Sequence, residues 1–538
     1  MKSFLISVIM AAIIPAALQD LTGSIEGTIF DAYSGAPIRD IQVSLAGRHT
    51  GISDRDGHFK INKIPPGEYM VSVSQNRYVV PSGFSFSNNA TIGTLKIQQR
   101  EQIHDIQLEM VPSAVISGRI WKTDGSPALN ARIQFLQYRY SETGDQKLIF
   151  VGPAPGVLTS NDRGEYRQWG FPPGNYFVLA SLSNSEGSAS VAGMVPTFYP
   201  NALSIGNATP VSVERGSDAQ HIDVNLRDAQ TSRVTVNLTL PEGVQTVTGK
   251  LQLVPDSVDL SGGDTDTCII WTCVTAGRNQ YTILNVMEGR YTILTSAYGL
   301  NDGREYDGHA SVNIFGGGVE PITVFSYPVE SFDLHGYVRF ADSADNIKVK
   351  SAPIDLLSST RQIHSPRTPS STEGAEDFVI KHVPFGEYEI GANTPTGTYL
   401  SDVLQGNRSV LNDKLMIGPE RPESLTVVLG RDGGTVRGIV QNIRGSAIGF
   451  ARVVLIPMTR HLLLTQTSQA DVSGRFKFEN VEPGSYRLYS WLNVAPNAWE
   501  SSEFVKKYDL QGTPLTVTSG QETSDLTVTR IVDDLPIH

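Results

Sequence analysis

The residues best able to do chemistry in this chain are few, and their spacing excludes the common catalytic sites. Ten histidines stand at 49, 58, 104, 221, 309, 335, 364, 382, 461 and 538, and none has a glutamate three positions on. The His-x-x-Glu pair of a zinc peptidase is therefore absent, and so is His-Glu-x-x-His. Gly-x-Ser-x-Gly, Gly-x-x-x-x-Gly-Lys and Ser-x-x-Lys are also missing, which removes the usual nucleophile elbow, phosphate-cradling loop and acyl-enzyme serine. A pair of carboxylates brought together from separate loops would suit a glycosidase, and sequence spacing cannot reveal such a pair. The expectation is a non-catalytic protein with no cofactor and no metal.

Two features look like ligand chemistry and read more simply as structure. Asp54-Arg55-Asp56-Gly57 resembles half a calcium loop, but it offers too few oxygens for a hard cation that takes six to eight. It reads as a turn in which the Asp side chain accepts from backbone amides, as do Asn161 to Gly164 and Asp471 to Gly474. The only cysteines are Cys268 and Cys273 in CIIWTC. No histidine lies nearby to complete a zinc site, so they are expected to form a local disulfide across a turn or to remain two buried thiols.

The aromatic residues offer the remaining chemistry. Trp169 aligns with Asn62 of an earlier repeat and alternates away from the core face of its strand. Tyr489 and Trp491 lie opposite Tyr486 and Leu488 by the same alternation, with Trp499 shortly beyond. Flat outward aromatics are what a sugar ring stacks on, because its C–H face is apolar and its hydroxyls reach polar neighbours. Contact with a neighbouring module is the plainer use of the same surface.

The elements that must position these residues follow from a repeat. An aromatic residue, an apolar one two on, another five on, Gly eight on and Tyr ten on recur five times, starting at Phe59, Tyr166, Tyr281, Phe378 and Phe476, with Gln168 the only departure. Residues two apart share a strand face, and the turns IPPGEY, FPPGNY, MEGRY, VPFGEY and VEPGSY reverse the chain, so each copy is a β-hairpin. Its tyrosine is expected to be structural. Before each hairpin comes apolar-x-Gly-x-apolar, centred on Gly27, Gly118, Gly249, Gly336 and Gly438. An inward Gly in an alternating strand implies a bulge or a close backbone approach.

About seven short strands per hundred residues match an immunoglobulin-like sandwich. The length of 538 residues accommodates about four or five domains. The segments GTIFDAYSGAPIRDIQVSL and TGISDRDGHFKINKIPPGEYMVSVS resemble the carboxypeptidase regulatory-like domain, a transthyretin-like sandwich also related to starch-binding-like modules. Residues 116–180 and 434–490 are similar, while 245–296 and 332–392 keep the spacing but lose the acidic turn. The resemblance implies no peptidase activity, because that activity belongs to a separate zinc-bearing domain.

The expected architecture is all-β, a tandem array of five antiparallel sandwiches at 20–112, 113–229, 230–330, 331–432 and 433–538, following a signal peptide at 1–19. Met1-Lys2 and the uncharged run Phe4 to Leu18 describe that signal and imply export. No second hydrophobic span occurs. A formal charge of −12 without any long basic run argues against nucleic acid. The expected function is binding at the cell envelope, of polysaccharide through Trp169, Tyr489, Trp491 and Trp499, or alternatively of envelope proteins along sandwich surfaces and edges.

Overall fold

The computed structural model describes residues 21–532 except 75–76, 82–88, 141–143, 145, 153–157, 183–191, 245–246, 256–270, 275–277, 301, 316–318, 343–353, 359–376, 393, 412, 421, 459–464 and 493. The expected signal peptide, 1–19, lies outside these residues. The described residues are built almost wholly of strands, with one short α-helix among them, Ser502–Lys507. Among the described residues no helix is long and apolar enough to cross a membrane.

Each module is built around its repeated turn. In the first, His58–Ile64 and Gly67–Ser74 flank the turn but belong to two facing sheets and do not pair with each other, so the expected β-hairpin is instead an arch that carries the chain across the core. His58–Ile64 pairs antiparallel with Gly23–Asp31, while Gly67–Ser74 pairs with Gln42–Leu45 and Asn89–Ile97. The inward residues Ile25, Ile29, Phe59, Ile61, Val43, Val71 and Val73 fill the space between the sheets. The other modules repeat this plan around their own cores.

The repeated tyrosines lock the turns. The hydroxyls of Tyr69, Tyr176 and Tyr388 each donate to the proline carbonyl four residues back at 2.8 Å, and Tyr486 donates to Glu482 O at 2.9 Å. This is a tyrosine corner, which ties the ring's apolar body into the core while its hydroxyl satisfies a turn carbonyl. The acidic turns also behave as the spacing predicts. Asp54, Asn161 and Asp471 each accept from the amides two and four residues on at 2.8–2.9 Å.

One refinement concerns strand direction. The first strand of every module runs parallel to the module's last strand: Gly23–Asp31 with Gln102–Pro112, and Gly434–Gln441 with Glu522–Thr529. The same holds for the second, third and fourth modules. Parallel closure explains the glycine motif. A Cβ on Gly27 would lie 2.3 Å from Ile106 O, on Gly118 2.2 Å from Ile222 O, and on Gly438 2.4 Å from Leu526 O. In the first and fifth modules a bulge brings the partner's carbonyl over the strand at this point, and Asp105 and Asp525 take positive φ there.

The third module corrects the motif. Val247-x-Gly249-x-Leu251 lies in Val247–Pro255, which pairs with the strand after the turn, Gly289–Gly299, and sits where Gln42–Leu45 sits in the first module. The true first strand is Arg227–Thr239, which pairs with Gln280–Met287 and runs parallel to Ile322–Pro328. It uses Val234, Val236 and Leu238 as inward residues and needs no glycine. It also runs across the expected boundary at 229/230 and pairs with Ala192–Val195.

Candidate functional site

Three of the four aromatics expected to face outward are buried. Tyr489, Trp491 and Trp499 are only 1%, 2% and 5% exposed. They do point away from the core between the fifth module's sheets, but a second apolar cluster covers them, built from Val454, Ile456, Val494, Ala498, Tyr508 and Ile531. Tyr489 stacks on Trp491 with ring centroids 4.9 Å apart and planes inclined by 5°. Phe504 and Tyr508 close over Trp491 at 5.7 Å, and Tyr140 of the second module meets Phe504 at 6.0 Å.

The cover comes from the segment after Trp499. Ser501 caps the helix Ser502–Lys507 by accepting from Phe504 N, with Glu503 in its first turn and Lys506 and Lys507 in its last, as the helix dipole favours. The helix is too short to persist alone, and Phe504 and Tyr508 hold it down on the indole. These aromatics therefore form a packed joint, which no sugar ring can reach.

Trp169 is half-buried, on the strand Glu165–Phe171 that lies against Tyr78–Val79 of the first module. Cys268 lies outside the described residues. Cys273 is placed only by its backbone, opposite Lys250 in the strand Trp271–Val274. Among the described residues no group of three His, Cys, Asp or Glu is arranged to hold a metal ion.

The array is closed, with the first module packed on the fifth. Phe450 and Val472 of the fifth module enter the first module's core cluster, and Phe30 of the first enters the fifth's. Gly93 makes room for the Phe450 ring, since a Cβ there would lie 2.3 Å from it. Arg444 donates to Ser34 O at 2.7 Å and Gln469 to Ile92 O at 2.7 Å. At the centre Arg530 Nη1 donates to Glu109 Oε2, and both side chains are buried. A charge pair so desolvated is specific rather than cheap, because each ion without the other would be stranded.

An exposed aromatic surface exists elsewhere, on the third module. Phe325 and Tyr327, 54% and 65% exposed, stand two apart on Ile322–Pro328 and so share its outer face. Tyr327 is opposite Asp307, and Asp307 is opposite Ser296. Tyr298, 50% exposed, pairs with Glu305 on the same face, and His309 lies beside Asp307 on it. Three rings thus flank a row of Glu305, Asp307 and His309. The signal was present in the sequence as TVFSYP, alternating inward Val324 and Ser326 with outward rings. It was missed because this strand lies outside the repeated motif.

Residues 24–95 match the model of the carboxypeptidase regulatory-like domain, so the first module is of that kind. No curated protein matches the chain significantly. Among solved structures, the Bacillus anthracis TIE protein aligns over 91% of this chain and 66% of its own at 9% identity and TM-score 0.14. A cohesin–X-dockerin complex of Acetivibrio cellulolyticus aligns over 17% of this chain and 58% of its own at 17% identity and TM-score 0.14. The minor pilin GBS52 of Streptococcus agalactiae aligns over 39% of this chain and 97% of its own at 11% identity and TM-score 0.21. The chain thus spans less than two thirds of the first two.

Proposed function

We propose that this protein is an exported, non-catalytic binding scaffold of the cell envelope that takes polysaccharide on the outer face of its third module. The exposed row of Phe325, Tyr327 and Tyr298 around Glu305, Asp307 and His309 carries the reading. The rings offer apolar planes, and the carboxylates accept from sugar hydroxyls. The sheet beneath is fixed by Tyr306, Ile293, Val312 and Val324, all buried, so the rings are held on a rigid element. The closed contact between the first and fifth modules supports a scaffold role, since it fixes the ends of the array instead of leaving a loose string.

Affinity electrophoresis of the whole mature chain through gels containing a panel of polysaccharides tests this. One polymer should retard the wild type, and the double variant Phe325→Ala, Tyr327→Ala should run unretarded with an unchanged unfolding midpoint. Equal retardation of wild type and variant, or none by any polymer, overturns the sugar reading and moves the search to envelope proteins docking on sandwich surfaces.

A further inference from the structure

A cavity of about 130 Å³ lies between the first and fifth modules and is independent of the aromatic face. Its lining is of two kinds, the apolar Leu108, Ile448 and Phe450 and the charged Glu109, Arg452 and Arg530. Two guanidiniums and one carboxylate line it, and the Arg452 guanidinium also lies 5.6 Å from the centre of the Trp499 ring. Glu109 is committed to Arg530, and among the described residues no carboxylate pairs with Arg452. Arg530 is 3% exposed, and its Nε has no hydrogen-bond partner among the described residues although the side chain lines the cavity. A buried donor without an acceptor costs free energy that an incoming oxygen would recover.

From this division we infer that the cavity is a binding site for a short-chain aliphatic carboxylate, whose alkyl part lies against Leu108, Ile448 and Phe450 and whose anion answers Arg452 and Arg530. The surplus positive charge selects an anion over a cation or a neutral solute. The apolar wall selects an alkyl chain over inorganic phosphate, which would leave that wall wetted. The volume sets the size, being close to the roughly 150 Å³ that accommodates one benzene in an apolar protein cavity. Arg452 fits the role further, since burial holds its guanidinium below the usual arginine range and a bound anion would relieve that cost. A ligand seated here touches both end modules and would tighten their closure.

The test is thermal unfolding of the whole chain titrated with sodium butyrate, against butyramide and sodium chloride at matched concentrations. Butyrate should raise the midpoint saturably, while butyramide and chloride leave it unchanged. Arg452→Gln, at a half-buried position, should weaken the apparent butyrate affinity roughly tenfold through loss of one charge-assisted bond. Acetate through hexanoate should show an optimum in chain length. Equal stabilisation by butyramide, no saturable effect of butyrate, or unchanged affinity in Arg452→Gln would each overturn the assignment and leave a cavity for water only. If the variant fails to fold, the comparison of butyrate with butyramide on the wild type still decides.

Discussion

Glu109 and Arg530 stand 421 positions apart in sequence and meet as an ion pair whose side chains are 2% and 3% exposed. Glu109 is on the last strand of the first module and Arg530 directly follows the last strand of the fifth. The pair therefore joins the two ends of the array. Glu109→Gln leaves a buried guanidinium without its counter-charge and should cost about 3–5 kcal/mol. The double variant Glu109→Gln, Arg530→Gln should cost clearly less than the sum of the singles. Urea unfolding of all four proteins measures this, and strict additivity would show that the two groups do not act as a pair.

Gly27→Ala tests the parallel closure of the modules. The added methyl would lie 2.3 Å from Ile106 O and 2.6 Å from Ile106 Cβ, so the strands must separate, at about 1–3 kcal/mol. Gly418→Ala, where a Cβ meets nothing within 4 Å, should change the unfolding midpoint little. Comparable effects at the two positions would rule out the close approach as the reason for the motif.

The buried tyrosines, two of them corner residues, predict alkaline instability. Burial pushes the phenols of Tyr166, Tyr176 and Tyr486 well above the usual tyrosine range, with the nearby Asp223 and Glu482 adding to the shift at Tyr166 and Tyr486. A group whose pKa is raised by folding contributes stability that is complete below its unfolded value, near pH 10 for tyrosine, and declines as pH rises beyond it. Phenolate absorbance should therefore appear together with loss of β-sheet circular dichroism above about pH 10. Full phenolate formation with the sheet signal intact would contradict this.

The C-terminal aromatic joint predicts opposite outcomes for two kinds of substitution. Trp491→Ala removes a buried indole stacked on Tyr489 and should cost about 3–5 kcal/mol. Tyr327→Ala, on an exposed ring, should stay within about 0.5 kcal/mol of wild type. Denaturant unfolding separates the two, and a stable Trp491→Ala protein would mean that the joint is open in solution.

The tyrosine corners and acidic turns were legible because each is a local device, whereas the expected hairpin pairing was not, because the two strands at each turn pair with other strands. Tyr486 reaches Glu482 and Asp471 reaches Ser473 and Arg475 within one turn of chain, so their spacing contains the interaction. Gly249 shows the limit of such reading. Its alternating apolar neighbours satisfy any strand, and only the pairing with Gly289–Gly299 assigns it to the second sheet. The outward alternation of Tyr489 and Trp491 was also read correctly as a direction. Alternation states which face a side chain takes; it does not state what covers that face.

An all-β chain of repeated sandwich modules, its turn chemistry and the absence of the common catalytic motifs can be read from residues a few positions apart. The burial of Trp491, the exposure of Phe325 and Tyr327 and the meeting of Glu109 with Arg530 arise from packing. Those outcomes depend on which distant segments exclude water from a surface, and desolvation is a property of the packed whole.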